Sequence, residues 1–282
     1  MRPGSDLPDL PDLSDRSDRS DRSDFSDEIR SYALPIEPNP FAELSESVRW
    51  EDVGKGRRGA TLARIDEAGG VPLVRTTTRY GSPTQRFRAV HERLAQRIQE
   101  SAELSAAAFN NALIESYTNA YTTMGFHSDQ ALDLADDSFI AVFSCYQHPE
   151  ASPPRKLIFE VKETAADSGD SGGEKLEISL AHNSVVVFSV ASNRRLKHKI
   201  VLDAPDRTAD NSWLGVTFRT SKTLVRFRDG HAHLPQGARL TSADEEQQSE
   251  FYRLRRRENK ETDFVYPSLT YTVSASDLMP PV

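Results

Sequence analysis

Three polar side chains in this sequence have the types and the spacing of a metal site. His127 and Asp129 are two residues apart in the segment MGFHSDQALDL, and two such side chains on an extended chain project to the same side. His198 stands much further along, at the head of the apolar strand pattern HKIVLD. Two imidazoles and one carboxylate on one face would leave coordination positions open, an arrangement that suits Fe(II) and the activation of oxygen. The triplet alone is also compatible with a polar turn between two strands.

The elements that must position these residues are mainly short strands. From about residue 109 onward, runs rich in β-branched and aromatic residues alternate with turn-rich breaks; the runs are NALIESYTNAY, SFIAVFSCYQ, KLIFEVKE, KLEISLA, SVVVFSV, HKIVLD and WLGVTFRTS. This spacing favours a sandwich or a double-sheet barrel over alternating strand and helix units. Before the strands, apolar residues recur at spacings of three and four in SPTQRFRAVHERLAQRIQESA, which predicts a helix that starts at Ser82 and Pro83.

The two ends of the chain and one internal segment differ from these strands. Residues 1–28 are a short-period repeat of Asp, Ser, Arg and Pro, which is typical of a disordered tail. The segment 163–175, ETAADSGDSGGEK, predicts a mobile hairpin loop. Residues 231–282 form a C-terminal extension, in which SADEEQQSEFYRLRRRENKETDF predicts an amphipathic helix and YPSLTYTVS one more strand. We therefore expect a tail, one domain over residues 29–230, and an extension that packs on that same domain.

Charge and composition exclude several classes of protein. The net charge of −8 disfavours a general surface for polyanions, and acidic residues on both sides of RLRRR (253–257) favour a solvated helix face over a nucleic-acid patch. The single cysteine, Cys145, excludes an internal disulfide and a cysteine-rich zinc module, and its apolar surroundings predict a buried thiol. The sequence contains no membrane-length apolar run and no signal-peptide core, so we expect a cytoplasmic protein without a membrane partner. The remaining histidines have no evident partner for a metal site and are expected to be structural or at the surface: His91, His148, His182, His231 and His233.

The residues around the metal triplet resemble a known family. The segment FNNALIESYTNAYTTMGFHSDQ (109–130) resembles the AlkB family of Fe(II)/2-oxoglutarate dioxygenases, which often has a Phe-Asn pair, a Leu, an Asn-x-Tyr and then Gly-x-His-x-Asp. The strand WLGVTFRTS resembles the closing Thr-Phe-Arg of that family, and VPLVRTTTRYG resembles the segment that leads into its substrate lid. The matching positions are Phe109, Asn110, Leu113, Tyr117, Gly125, His127, Asp129, Thr217, Phe218, Arg219, Arg75, Tyr80 and Gly81. The resemblance covers about residues 70–220.

This resemblance implies a fold, a metal and a reaction. The fold would be mainly β with α, a double-stranded β-helix, or jelly roll, flanked by helices. Fe(II) would be held by His127, Asp129 and His198. The enzyme would couple the decarboxylation of 2-oxoglutarate to the insertion of one oxygen atom from O2 into a C–H bond. Because halogenating relatives lack the carboxylate that Asp129 retains, the resemblance implies hydroxylation.

The same resemblance implies how 2-oxoglutarate would be held. Arg219 would bind its free carboxylate as a planar bidentate donor, and the Tyr117 hydroxyl would donate one more hydrogen bond. Two positions depart from the family: its first arginine, six residues before Arg219, is Trp213, and its Asn two residues before Tyr117 is Glu115. The anchor of the carboxylate must therefore be rebuilt in this chain. Two further arginines are candidates, Arg194 and Arg207.

The sequence constrains the identity of the substrate less than it constrains the metal or the co-substrate. By analogy with the lid, Arg75, Arg79 and Tyr80 are the predicted substrate-binding residues, with an ordinary edge strand as the alternative. AlkB relatives oxidise N-alkyl groups on nucleobases, but Gln130 and Ala131 replace the acidic residues after the HxD here. With an acidic chain, this favours a small molecule, for example a nucleoside or nucleotide, over extended nucleic acid. Two alternatives stay open: an oxidative demethylase of alkylated nucleobases in DNA or RNA, and a non-catalytic jelly-roll binding protein.

Overall fold

A computed structural model describes residues 25–104, 109–151, 153–162, 175–203 and 211–282. The strands, in chain order, are β1 (Ile29–Ala33), β2 (Glu51–Gly54), β3 (Arg57–Ala63), β4 (Val71–Leu73), β5 (Gln85–Arg86), β6 (Asn111–Tyr117), β7 (Phe139–Tyr146), β8 (Arg155–Val161), β9 (Lys175–Leu180), β10 (Ser184–Ser189), β11 (Leu196–Val201), β12 (Trp213–Arg219), β13 (Thr223–Arg228), β14 (His231–His233), β15 (Thr241–Ser242) and β16 (Tyr271–Thr272). The helices are α1 (Phe41–Glu46), α2 (Ala89–Ser101), α3 (Val190–Arg195) and α4 (Glu245–Glu258), with 3-10 turns at Phe25–Glu28 and Ala275–Leu278. No helix in this described part is long and apolar enough to cross a membrane.

Two sheets form the body of the fold. The large sheet has the strand order β1-β10-β7-β12-β6-β3-β2, with β5 paired to β3, and the small sheet has the order β11-β8-β9. All neighbours in these sheets are antiparallel except β3 and β5. The predicted fold class, a mainly β double-stranded β-helix flanked by helices, is confirmed. Two minor sheets, β14-β13-β4 and β15-β16, extend it.

The large sheet buries apolar side chains on both faces because its strands alternate between two cores. On β10, Val185 and Val187 pack outward against a core that includes residues of α1 and α2, whereas Val186 and Phe188 pack inward toward the small sheet. Full burial of such side chains contributes roughly 1.5–3 kcal/mol each, so both faces fix the register of the strand. Cys145 lies in the outer core and is completely buried, as the sequence predicted.

The same alternation brings the chemistry to one face. Tyr117 on β6 and Trp213 on β12 are in register, and Glu115 is in register with Gly215. Because side chains two apart lie on the same face, Glu115, Tyr117 and Arg219 all project from the inner face of the large sheet.

Helix α2 begins at Ala89, six residues after Pro83, with which the predicted helix begins. Ser82 and Pro83 do not start it, because Gln85–Arg86 instead pairs in parallel with the end of β3. The predicted start at Ser82 is therefore wrong, and pairing with a strand distant in sequence outweighs the local Ser-Pro signal.

The side chain of His91 caps the start of α2. The Arg88 N–H donates to Nδ1 of His91 over 2.9 Å, so the other ring nitrogen carries the proton and donates to Ser47 Oγ at 2.8 Å. Ser47 in turn donates to the carbonyl of Leu44 at 2.6 Å. His91 is fully buried, and burial, followed by the charge of Arg88, lowers its pKa to about 4. A neutral imidazole thus ties α1 to α2, the structural role expected for this residue.

Both ends of the described part of the chain pack on the body. Phe25, within the predicted tail 1–28, is buried in the inner core, while residues 1–24 lie outside the described part. The predicted loop 163–175 also lies outside it, apart from its last residue. In the extension, α4 is the predicted amphipathic helix, and β16 is a two-residue strand within YPSLTYTVS.

Candidate active site

The fold brings His127, Asp129 and His198 together. One donor atom from each lies within 4.8 Å of the others, so the three could hold one metal ion. His127 belongs to the segment between β6 and β7, and it forms an isolated antiparallel bridge with His198 on β11. The bridge consists of two backbone bonds, from His127 N to His198 O at 3.0 Å and from His198 N to His127 O at 2.7 Å. Two backbone bonds between the segments fix the spacing of the two imidazoles.

Each imidazole is oriented and kept neutral. Nδ1 of His127 lies 3.0 Å from the carbonyl of Gly125, which can only accept, so its Nε2 keeps a lone pair for a metal. The ring of His198 packs against Phe159 and Phe188, with centroids 5.5 and 5.6 Å away. Burial lowers the pKa of His198 to about 3, and burial also lowers the pKa of His127. Both rings are therefore neutral imidazoles at neutral pH, the form that binds metal.

Asp129 is held as a carboxylate by an arginine. Burial alone would raise its pKa, but the charge of Arg219 and the hydrogen bond from Arg219 hold the pKa of Asp129 well below its usual value. Nε of Arg219 donates to Oδ2 of Asp129 over 2.7 Å. The other oxygen, Oδ1, lies 3.7 Å from Nε2 of His198 and faces the metal position.

A buried amide fixes the backbone of this carboxylate. Asn193, on helix α3, accepts a bond from the Asp129 N–H and donates one to the Asp129 carbonyl, both over 2.8 Å. Helix α3 is placed by its N-cap, where the Ser189 hydroxyl accepts from the backbone N–H of Ser192. The position of Asp129 is thus set by an element 64 residues away in sequence.

The C-terminal extension clamps the same segment from the other side. Asn259 accepts from the Ser128 N–H at 3.0 Å, and Arg255 donates to the Ser128 carbonyl at 2.8 Å. Arg255 also pairs with Glu258, which accepts from the Ala131 N–H at 2.8 Å. The prediction of a solvated face is wrong for Arg255, which is buried, because it packs onto the HxD segment rather than facing water.

A cavity of about 740 Å³, counting its open mouth, lies beside the three candidate ligands. Its walls combine apolar residues of the inner core with threonines of the segment after β4 and four arginines. Each of these arginines is paired with a carboxylate; the pairs are Arg57–Glu115, Arg75–Asp133, Arg219–Asp129 and Arg255–Glu258. The cavity is polar but balanced in charge.

The predicted co-substrate residues lie at two places. Arg219 lies in the cavity wall beside Asp129. The Tyr117 hydroxyl donates to Oε2 of Glu115 at 2.7 Å, and the ring of Trp213 lies 4.8 Å from that of Tyr117. Glu115 also accepts from Nε of Arg57 over 2.7 Å. Of the other candidate anchors, Arg194 pairs with Asp136 near the surface, and Arg207 lies outside the described residues.

The predicted substrate-binding residues are also separated. Arg75 lines the cavity but is buried, and it donates to Asp133 and to two carbonyls of the C-terminal extension. Arg79 is exposed and donates to Tyr252 on α4. Tyr80 is buried against Gly59, where an added Cβ would lie 2.5 Å from its hydroxyl. Of the three, Arg75 alone contributes to the described cavity wall.

Several residues at this site are not evident from the sequence. Asn193 and Asn259 lie in unremarkable polar stretches, and Arg255 lies in a charged helix pattern. Arg57, on β3, precedes the segment that resembles the family. One usable signal exists: Arg255 and Glu258 are three apart on the same helix face as the apolar Phe251 and Leu254, which places their charges on the buried side.

One of three comparisons with known proteins identifies a family. A search of curated proteins finds no match. Among solved structures, a crystal structure of a Pseudomonas putida prolyl-4-hydroxylase is similar with a TM-score of 0.40 and 13% sequence identity. The match covers 68% of this chain and 92% of that chain, and this similarity is too low to indicate a substrate. The profile of the 2OG-Fe(II) oxygenase superfamily matches residues 66–219, which include all three candidate metal ligands. That family uses Fe(II) and 2-oxoglutarate, as expected from the sequence. With more than half of its length matched and its ligand set assembled, the chain belongs to the 2OG-Fe(II) oxygenase superfamily.

Proposed function

We propose that this protein is an AlkB-like dioxygenase that hydroxylates a C–H bond of a small molecule, with iron held by His127, Asp129 and His198. One observation carries the proposal: two neutral imidazoles and one ionised carboxylate converge within 4.8 Å at the wall of a cavity. This donor set fits Fe(II), since imidazole and carboxylate are its usual ligands in oxygenases with open coordination positions.

The chemistry of the bound cofactors would be shaped by the residues around them. Iron, 2-oxoglutarate and O2 together supply the oxidising power for inserting an oxygen atom into a C–H bond. Arg219 keeps Asp129 ionised and binds its Oδ2, which would leave Oδ1 available as the metal ligand. Val142, Leu157 and Ile200 give the cavity apolar walls that exclude bulk water beside the ligands.

The charge balance of the cavity favours an uncharged substrate. A phosphate brings negative charge that a cation must match, yet the carboxylate partners of the four arginines leave the described cavity wall with no excess of positive charge. Binding to extended nucleic acid needs many such contacts, and the chain has a net charge of −8. We therefore place a nucleoside or another uncharged small molecule ahead of a nucleotide or an oligonucleotide.

Substrate-dependent succinate formation tests this proposal. The protein with Fe(II), 2-oxoglutarate and O2 is incubated with a panel of nucleosides and other uncharged molecules, and mass spectrometry follows succinate and a product heavier by one oxygen. His198→Ala should abolish turnover, whereas His231→Ala, which replaces an exposed histidine, should retain it.

Two results would contradict the proposal. Formaldehyde release from an alkylated oligonucleotide, with no turnover of small molecules, would favour the demethylase alternative. Binding of 2-oxoglutarate without its consumption under any condition would favour a binding protein.

A further inference from the structure

Glu115 occupies an unusual position in the large sheet. Its neighbours in register are both glycines, Gly59 on β3 and Gly215 on β12. The space that their side chains would fill is taken by two aromatic rings. A Cβ at Gly59 would lie 2.5 Å from the Tyr80 hydroxyl, and one at Gly215 would lie 2.1 Å from the Trp213 ring. The sheet thus forms a cradle with Glu115 at its floor and a ring on each side.

The cradle contains more hydrogen-bond donors than Glu115 satisfies. Arg57 and Tyr117 donate to its two oxygens, each over 2.7 Å. The Tyr80 hydroxyl and Nε1 of Trp213 are buried without a partner. A buried unpartnered donor costs about 1–3 kcal/mol, so the donors of the cradle are not all satisfied by Glu115. Of the residues of the cradle, Arg57 and Glu115 line the cavity beside the candidate metal ligands.

Among the four arginines of the described cavity wall, Arg57 is the most available. Its side chain is 20% exposed, whereas those of Arg75, Arg219 and Arg255 are 4–8% exposed. Arg219 is also engaged by Asp129 at the metal position. Arg57 lies on the inner face at the other end of the strands from Arg219. Its strand position is in register with Tyr117, which pairs with Trp213 at the start of β12, whereas Arg219 is at the end of β12.

We propose that Arg57 binds the remote carboxylate of the 2-oxo acid and so takes the role of the family's first arginine, whose position is occupied by Trp213 in this chain. Glu115 competes with the acid for Arg57 until the acid binds. This rests on the proposed function, in which iron and the 2-oxo acid would both be held in this cavity. Glu115 keeps Arg57 ordered before the acid arrives, and its own charge opposes the second carboxylate.

Binding of two 2-oxo acids to the Mn(II)-loaded protein tests this assignment without turnover. Isothermal titration compares 2-oxoglutarate with 2-oxobutyrate, which lacks the remote carboxylate. Arg57→Met should weaken 2-oxoglutarate roughly 10- to 100-fold, the usual effect of losing a charge-assisted hydrogen bond, and leave 2-oxobutyrate unchanged. The matched control is Arg58→Met on the opposite face, where the guanidinium lies 4.8 Å from the Trp50 ring; its affinities should equal those of the wild type.

A second pair of variants controls for misfolding caused by an unpaired Glu115. Because Arg57→Met leaves Glu115 without its cation, the double variant Arg57→Met/Glu115→Gln removes both charges, and it should also bind 2-oxoglutarate more weakly than Glu115→Gln alone. Glu115→Gln by itself should bind 2-oxoglutarate more tightly than the wild type, with little change for 2-oxobutyrate.

The outcomes separate this inference from the proposed function. If the wild type binds 2-oxoglutarate and the two variants that lack Arg57 bind it equally well, the anchor lies elsewhere and only this inference fails. If Glu115→Gln binds 2-oxoglutarate more weakly, Glu115 is a partner of the acid and the competition is refuted. If the wild type takes up Mn(II) but neither acid, the proposed function fails with it.

Discussion

Asn193 offers the sharpest test of how the fold positions the metal site. Its amide makes two 2.8 Å bonds to the backbone of Asp129 and is buried. Asn193→Ala removes both bonds and leaves a buried N–H and a buried carbonyl without partners. Each unsatisfied group costs about 1–3 kcal/mol, so we expect the free energy of unfolding to fall by roughly 2–4 kcal/mol after partial relaxation.

The loss of stability should be accompanied by a loss of metal affinity. Without the amide, the segment that carries Asp129 can shift relative to His198, and the carboxylate no longer meets the imidazoles at a fixed distance. Loss of groups that orient metal ligands typically lowers metal affinity 10- to 100-fold. Titration with Mn(II), followed by calorimetry, measures this directly, and urea unfolding measures the stability.

The chain offers a matched control in Asn211. This buried amide clamps the backbone of His148 in the same way, with bonds of 3.1 and 2.8 Å, on a segment that does not line the cavity. Asn211→Ala should therefore lose comparable stability and keep its Mn(II) affinity. If the two variants lose stability alike and both bind Mn(II) as the wild type does, Asn193 is only a structural residue and the positioning argument is refuted.

Three further predictions follow from the site and from the outer core. His127→Ala should abolish Mn(II) binding with little change in melting temperature, because this partly exposed ring leaves no void in the core; retained binding would remove it from the ligand set. Arg255→Met should cost roughly 3–5 kcal/mol, because a buried carboxylate loses its partner, whereas the exposed neighbour in Arg256→Met should cost almost nothing; equal urea midpoints would contradict this. The pKa of His91 is lowered from 6.5 to about 4, so as pH falls through this window the unfolded state takes up a proton that the folded state refuses. Unfolding free energy should then fall by about 2–3 kcal/mol more between pH 7.5 and 4.5 in the wild type than in His91→Gln, and equal losses in urea titrations would refute the assignment.

The strands and the three candidate metal ligands that the fold brings together could be identified because their signals are local. Period-two alternation identifies each strand without knowledge of its neighbours, and a His and an Asp two residues apart must share a side of an extended segment. His198 could be chosen because it heads an apolar strand. Such local signals do not identify which strand packs against which segment. In particular, they do not indicate that β11 lies against the HxD segment.

The residues that hold the site in place depend on such long-range partners. Arg255 contacts Ser128 across 127 residues, so its local context, a run of charged residues, indicated solvent. The start of α2 was missed for the same reason, because residues 85–86 pair with β3. Arg57 becomes visible only when β3 and β6 are in register, which places it beside Tyr117.

The charges of the site suggest an order of binding. Asp129 with Arg219, and Glu115 with Arg57, form two neutral pairs, so the protein alone presents no net charge to the cavity from these groups. Fe(II) therefore brings two positive charges into a low-dielectric site, and 2-oxoglutarate is the dianion that cancels them. Once both are bound, the site is neutral again, and a charged substrate would have to be desolvated without compensation. We therefore expect the metal to bind before 2-oxoglutarate, whose two negative charges cancel the positive charges of the metal, and we expect the proposed uncharged substrate to bind last.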